Sequence, residues 1–195
     1  KGKDYYNGGP RYNTNYIQCP GLGTVTDSLS VLKKHIFEEQ NFSMKTLLNA
    51  ISKNYEGEEK LRQRIINRTP FFGNDDEYAD EIAMRIYNDL LDAIDGKPNV
   101  KGGQYHLNML STTCHVYFGK VLGATPNGRF SGKSISDGTS PSHGCDTHGP
   151  TNVIRSLGKL DQVKSGGTLL NLRFVPSLLK REKDVEKLGH LIRSY

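Results

Sequence analysis

Nothing in this 195-residue chain looks like a membrane span: apolar content is only 35%, and no apolar run approaches the roughly 20 residues a spanning helix needs. That share is also low for a freestanding globule of this length. Cysteine is equally scarce. Three residues (Cys19, Cys114, Cys145) make an odd, sparse count, which argues against a disulfide framework and for a reducing cytoplasm. The sequons at Asn41 and Asn67 carry no meaning in that setting. No secretory signal is visible. Neither sign of charge dominates, since 26 basic and 21 acidic residues leave +5 spread along the chain. The densest basic run, Lys180-Arg181-Glu182-Lys183, is interrupted by an acid and has no interleaved aromatics. It reads as a solvated surface rather than a nucleic-acid stripe. The start at Lys1 has no initiator methionine, and Tyr195 falls inside a helical pattern with neither a glycine cap nor a proline stop. The sequence therefore reads as an inner part of something longer.

Glycine and proline, by contrast, crowd one region. Between Gly119 and Phe174, glycines stand at 119, 123, 128, 132, 138, 144 and 149 and prolines at 126, 141 and 150. Such density specifies turns one by one. Apolar strand-like pieces flank it, at Val116 to Leu122 and at Thr168 to Phe174. Shaped loops on a rigid scaffold, the wall of a cavity, fit this better than a disordered linker.

Helices are predicted for much of the rest. Thr24-Val25-Thr26-Asp27 reads as a capping box opening a helix to about Glu39, with Val25, Leu29, Leu32, Ile36 and Phe37 on its apolar face. A second starts at Ser43 and uses Leu47, Leu48 and Ile51; a third spans Glu58 to Asn67. The clearest follows Asn74-Asp75-Asp76-Glu77, with a stripe from Ala79 to Ile94, and ends at Gly96 and Pro98. After Gly102-Gly103 the pattern predicts one or two buried strands through Leu122, broken near Ser111-Thr112-Thr113. A helix from Pro150 buries Val153, Leu157 and Leu160, a strand covers Thr168 to Phe174, and a last helix follows Glu182. The order implies an α/β architecture.

Three constellations bear on chemistry. His143, Cys145 and His148 spell H-x-C-x-x-H, but zinc sites pair two tight clusters and the upstream partner is only Cys114-His115. Loop side chains bonded to backbone are the better account. Gly21-Leu22-Gly23 has no third glycine and no apolar strand before it, so it is a tight helix entry rather than a dinucleotide loop. A Cys114–His115 nucleophile fails if both lie on a strand, where neighbours face opposite ways. The same alternation lets only one of Thr112 and Thr113 face a cavity, either to meet a polar ligand or to serve the backbone.

Several motifs together resemble the glycyl radical enzymes. They are GGPRYN at 8–13, TDSLS at 26–30, GNDDEYADEIA at 73–83, FGKVLGATPNGR at 118–129, DGTSPS at 137–142 and GPTNVIRSLGKLD at 149–161. The resemblance is to the pyruvate formate-lyase-like domain, in its dehydratase and lyase branch, and covers essentially residues 1–195. It implies a segment of a ten-stranded α/β barrel with helices outside and a loop-rich wall. The interior of such a barrel holds one finger loop with a thiyl-forming cysteine, in a G-C-x-E setting, and another with a radical-storing glycine, in R-V-x-G-Y.

Neither motif occurs here. None of Cys19, Cys114 or Cys145 has a glutamate two residues on. The resemblance thus implies that the thiyl cysteine lies upstream of Lys1 and the glycine downstream of Tyr195. It further implies no catalytic residue and no bound cofactor within the segment, which is inactive alone. The radical is installed on the parent enzyme, a homodimer, by an activase using S-adenosylmethionine and an iron–sulfur cluster. The pairing of YNTNYIQC (12–19) with HLNMLSTTCHVYFG (106–119) implies hydroxyproline or a similar polar alcohol as substrate, with Thr113 on the substrate side. Arg129 and Asp137 are expected to fix loops rather than touch substrate. Other members acting on choline, glycerol, propanediol or formate, or a non-catalytic split-gene product, are the alternatives.

Overall fold

A computed structural model describes residues 2–194. Lys1 and Tyr195, the ends at which the sequence reads as cut, lie outside the described residues. The fold is α/β. Strands β1 (Asn15–Gln18) and β2 (Tyr105–Asn108) pair in parallel, with Asn15 opposite Tyr105 and Gln18 opposite Asn108. Around them stand helices α1 (Leu22–Val31), α2 (Met44–Ser52), α3 (Glu59–Arg68), α4 (Glu77–Ile94), α5 (Cys114–Val121), α6 (Pro150–Gly158) and α7 (Glu182–Ser194). A π-helical stretch, Leu32–Glu38, prolongs α1.

Local chemistry explains most helix starts. Ser43 caps α2 by accepting from the Thr46 amide at 3.1 Å, and Asp76 caps α4 by accepting from the Tyr78 amide at 3.0 Å. Pro150 opens α6 in the first turn, where its missing N–H costs nothing. Gly96 at φ +71° follows α4. The main core lies between β2 and helices α4 and α6, where Leu107, Met109, Ala83, Tyr87, Val153 and Leu157 pack together. A second core joins Val31, Leu47, Tyr55, Ile65 and Phe71 beneath α2 and α3. No helix among the described residues is long and apolar enough to cross a membrane.

Four expectations are corrected. Helix α1 begins at Leu22 behind Gly21 (φ +97°), with no side-chain cap, so Thr24 and Asp27 lie inside it and form no capping box. Instead they serve incoming loops. The Thr24 hydroxyl accepts from the Ser136 amide at 2.8 Å, and Asp27 Oδ1 accepts from the Phe72 amide at 2.8 Å. Those loops also reverse the helix's faces: Thr26, Asp27 and Ser30 are fully buried, whereas Val25 and Leu29 are about 40% exposed. Second, residues 114–121 form helix α5 rather than a strand, because Gly119 lets that helix sit directly on the backbone of Lys133 and Ser134. Third, the strand expected over Thr168 to Phe174 is reduced to a bridge from Met109 to Thr168. It extends the sheet by three bonds, from the Gly166 amide to Leu107 (2.7 Å), from the Met109 amide to Gly167 (2.9 Å) and from the Leu169 amide to Met109 (3.3 Å). Beyond that the segment turns to the 137–140 loop. Fourth, Asn15–Gln18 is a strand although no apolar strand is expected before Gly21; Tyr16, Ile17 and Gln18 are all exposed, so polar side chains cost little there.

Candidate active site

Parallel strands bring their carboxyl ends to one side, and in α/β folds ligands collect there. Here those ends are Gln18 and Asn108, and the chain leaving β2 makes a sharp turn, Met109 to Thr113, into α5. Thr112 in that turn has φ +48°. A β-branched residue in the left-handed region is strained, at a cost of about 1–3 kcal/mol, and persists only where its surroundings impose it. The Thr112 hydroxyl donates to the Ser111 carbonyl at 2.7 Å, and the Cys114 amide donates to the same oxygen at 2.8 Å.

Thr113 follows at the N-cap of α5. A threonine in that position ordinarily turns its hydroxyl onto the helix's first amides. Thr113 does not, and its exposed hydroxyl makes no hydrogen bond among the described residues. It is a free donor and acceptor at the mouth of the strands. Cys114 beside it donates from Sγ toward Gln18 Oε1 at 3.8 Å. His115 points elsewhere, with Nδ1 at 3.2 Å from Ser111 Oγ and 3.5 Å from Asp137 Oδ1. Cys114 and His115 therefore do not cooperate, but the cause is the divergence of side chains at a helix start, not alternation along a strand.

Behind the turn, Asp137 accepts from the Ser111 hydroxyl and from Asn171 Nδ2. With His115, His143, Asp146 and Arg173 it lines an open polar cleft of about 590 Å³. Sequence reasoning gave Asp137 a loop-fixing role but missed Ser111, Gln18 and Asn171. The Asp137-Gly138 pair was the available signal: a Cβ on Gly138 (φ +51°) would meet the Met109 and Leu169 carbonyls at 2.7 and 2.8 Å, so only glycine fits where the loops converge.

The remaining singled-out residues are structural. Arg129 reaches five acceptors: Thr125 Oγ1 (3.2 Å) and the carbonyls of Phe130 (3.1 Å), Leu122 (3.5 Å), Gly123 and Lys133. It staples the loop after α5, as expected. Arg129→Lys, which cannot reproduce a planar five-donor fork, should raise amide hydrogen exchange across residues 123–133 at least about tenfold, one lost hydrogen bond's worth; unchanged protection would contradict the staple. Cys145 turns into the second core, where burial pushes its thiol well above the ordinary range. The His148 ring meets the Asn74 carbonyl at 3.3 Å, and its amide donates to Asn74 Oδ1 at 3.0 Å. Among the described residues no His, Cys, Asp and Glu side chains converge as metal ligands.

A short parallel sheet under helices, with a strained turn and an unused hydroxyl at its carboxyl end, forms a wall at the place where α/β folds collect ligands. Comparison with known proteins gives that wall a family. The family model described as "Pyruvate formate lyase-like" matches residues 1–119, and the one described as "Glycine radical" matches residues 135–195. The chain belongs to the pyruvate formate lyase-like family of glycyl radical enzymes. It is 51% identical over 195 residues to trans-4-hydroxy-L-proline dehydratase of Clostridioides difficile, covering 100% of this chain and 25% of that protein. Isethionate sulfite-lyase of Oleidesulfovibrio alaskensis is 38% identical, over 94% of this chain and 22% of its own. Among solved structures, hydroxyproline dehydratase from Clostridioides difficile with substrate bound superposes with a TM-score of 0.94, covering 100% of this chain and 25% of that one. Glycerol-bound B12-independent glycerol dehydratase from Clostridium butyricum gives 0.89 at 36% identity, with the same coverage. The chain thus spans about a quarter of the length of the relatives it matches.

Proposed function

We propose that the natural polypeptide carrying these residues is a glycyl radical C–O lyase that dehydrates trans-4-hydroxy-L-proline to a pyrroline carboxylate. The observation carrying this reading is the identity gap: 51% over the whole chain to the hydroxyproline dehydratase, against 38% and 34% to relatives named for isethionate and sulfopropanediol. On this reading β1, β2 and the Met109–Thr168 bridge belong to the wall of a ten-stranded barrel, with α1, α4 and α6 outside. The residues 1–195 form part of a pyruvate formate-lyase-like barrel, of which 135–195 also match the glycine radical model, and the thiyl-forming cysteine and the radical-storing glycine themselves belong to other parts of the polypeptide.

The thiyl radical supplies hydrogen abstraction beside the ring nitrogen. This segment contributes no catalytic residue and holds no cofactor; it positions and encloses. Thr113 offers its unused hydroxyl to the substrate, while Arg129 and Asp137 hold the loops that keep water from the radical. The enzyme works in an anaerobic cytoplasm, as a homodimer, with an activase that uses S-adenosylmethionine and an iron–sulfur cluster.

The test is an anaerobic assay of the natural polypeptide with its activase against hydroxyproline, choline and glycerol. Water loss from hydroxyproline is expected. Turnover of choline or glycerol without hydroxyproline overturns the substrate. Coding sequence in frame with neither G-C-x-E nor R-V-x-G-Y would favour a non-catalytic product instead.

A further inference from the structure

We infer that Asp137 is a positioning residue that holds the strained Ser111–Thr113 turn so that Thr113 faces the substrate. The inference rests on the reading of Thr113 given above. The strain at Thr112 needs an external constraint, and Asp137 is where one is applied. Ser111, directly before the strained residue, is fully buried and donates its hydroxyl to Asp137 Oδ1. Asn171, on the segment returning beside β2, donates to Oδ2. The Ser140 amide closes the loop by donating to the Asp137 carbonyl at 2.7 Å.

One carboxylate thus ties the end of β2, the 137–140 loop and the 169–171 segment. Gly138 makes this possible by wedging its backbone between Met109 and Leu169, which brings residue 137 against the turn. The far side of the turn is pinned independently, since the Ile135 amide donates to the His115 carbonyl at 3.2 Å. Residues 111 and 115 are therefore both anchored to the 135–137 segment. The three residues between them have little freedom to relax.

A positioning role and an acid–base role make opposite predictions for Asp137→Asn. An asparagine can accept from Ser111 and donate to a flipped Asn171, so the tie survives while the charge is lost. The experiment measures kcat and KM of the activated natural polypeptide, with glycyl radical content read by electron paramagnetic resonance. Asp137→Ala should lower kcat/KM about 10- to 100-fold, the scale of a misplaced contact, with unchanged radical content. Asp137→Asn should stay within about threefold of wild type, below the roughly fivefold that one typical net hydrogen bond is worth.

A cycle with Thr113→Val completes the test. In the Thr113→Val background, Asp137→Ala should cost little more, because the hydroxyl it presents is gone. Full additivity overturns the positioning role while leaving Thr113 in place. A silent Thr113→Val defeats the Thr113 reading itself and this inference with it. Loss of activity in Asp137→Asn equal to that in Asp137→Ala would show that the charge matters, and would also overturn it.

Discussion

Replacing Lys159 by methionine should destabilise the protein by about 3–5 kcal/mol, the cost of stranding one member of a buried ion pair. The carboxylate of Asp80 in α4 is fully buried, and its Oδ1 has no hydrogen-bond partner among the described residues. Its Oδ2 lies 2.7 Å from Lys159 Nζ and 3.0 Å from Ser156 Oγ, both brought by α6. Burial pushes the Asp80 carboxyl up, and Lys159 and Ser156 oppose that push. The same ammonium meets Glu77 at 2.8 Å and Asp75 at 3.2 Å. Glu77 is largely exposed, so Glu77→Gln should cost under about 1 kcal/mol. Adding Asp80→Asn to Lys159→Met should recover part of the loss, since a neutral amide tolerates burial better. Urea denaturation of the natural polypeptide measures all three variants. A Lys159→Met loss below about 1 kcal/mol, the value of a surface pair, would show that α6 is not anchored through this cation.

The second large effect is a dependence on pH set by Asp27. This residue is fully buried in α1, and burial pushes its carboxyl up to about 7, against smaller opposing pulls from the Ser142 hydroxyl and the Phe72 amide. Its Oδ2 has no well-formed hydrogen bond among the described residues. Because the folded value lies above the unfolded one, the folded state holds the proton more tightly. The stabilisation is complete below about 4, the unfolded carboxylate value, and is lost as pH rises through about 7. At about 1.36 kcal/mol per unit the swing is about 4 kcal/mol. Asp27→Asn keeps an acceptor for the Phe72 amide and cannot ionise. The stability difference between wild type and variant, followed from acid to mildly alkaline pH, should therefore shift toward the variant between about pH 4 and about 7 and level off above that. A pH-independent difference would place Asp27 in contact with water.

These two residues show where sequence reading stops. Helices α2, α3, α4, α6 and α7 were legible because each has a cap, an acidic start or, in α6, a proline in its first turn, followed by a periodic apolar face. Helix α1 was legible as a helix but not in its orientation. Its polar residues face inward to serve the Phe72 amide, the Pro70 carbonyl and the Ser136 amide, and those partners lie 40 or more positions away in sequence. Asp80 likewise sits inside a helical stripe, and nothing local pairs it with Lys159. Helix α5 was mistaken for a strand because Val116, Tyr117, Phe118 and Val121 favour strands, and only contact of Gly119 with the 133–134 backbone decides otherwise. At the candidate site, the family motifs marked Thr113 and the loop run marked a cavity wall. The strain at Thr112 and the tie through Asp137 were invisible, since both depend on how three distant segments meet.

A crystal structure of the natural polypeptide with trans-4-hydroxy-L-proline bound is the most direct measurement of the account. It should place Thr113 Oγ1 within hydrogen-bonding distance of the substrate, about 2.5–3.0 Å for a hydroxyl partner, with Thr112 still in the left-handed conformation. Substrate bound with the Thr113 hydroxyl turned back onto the first amides of α5 would contradict it.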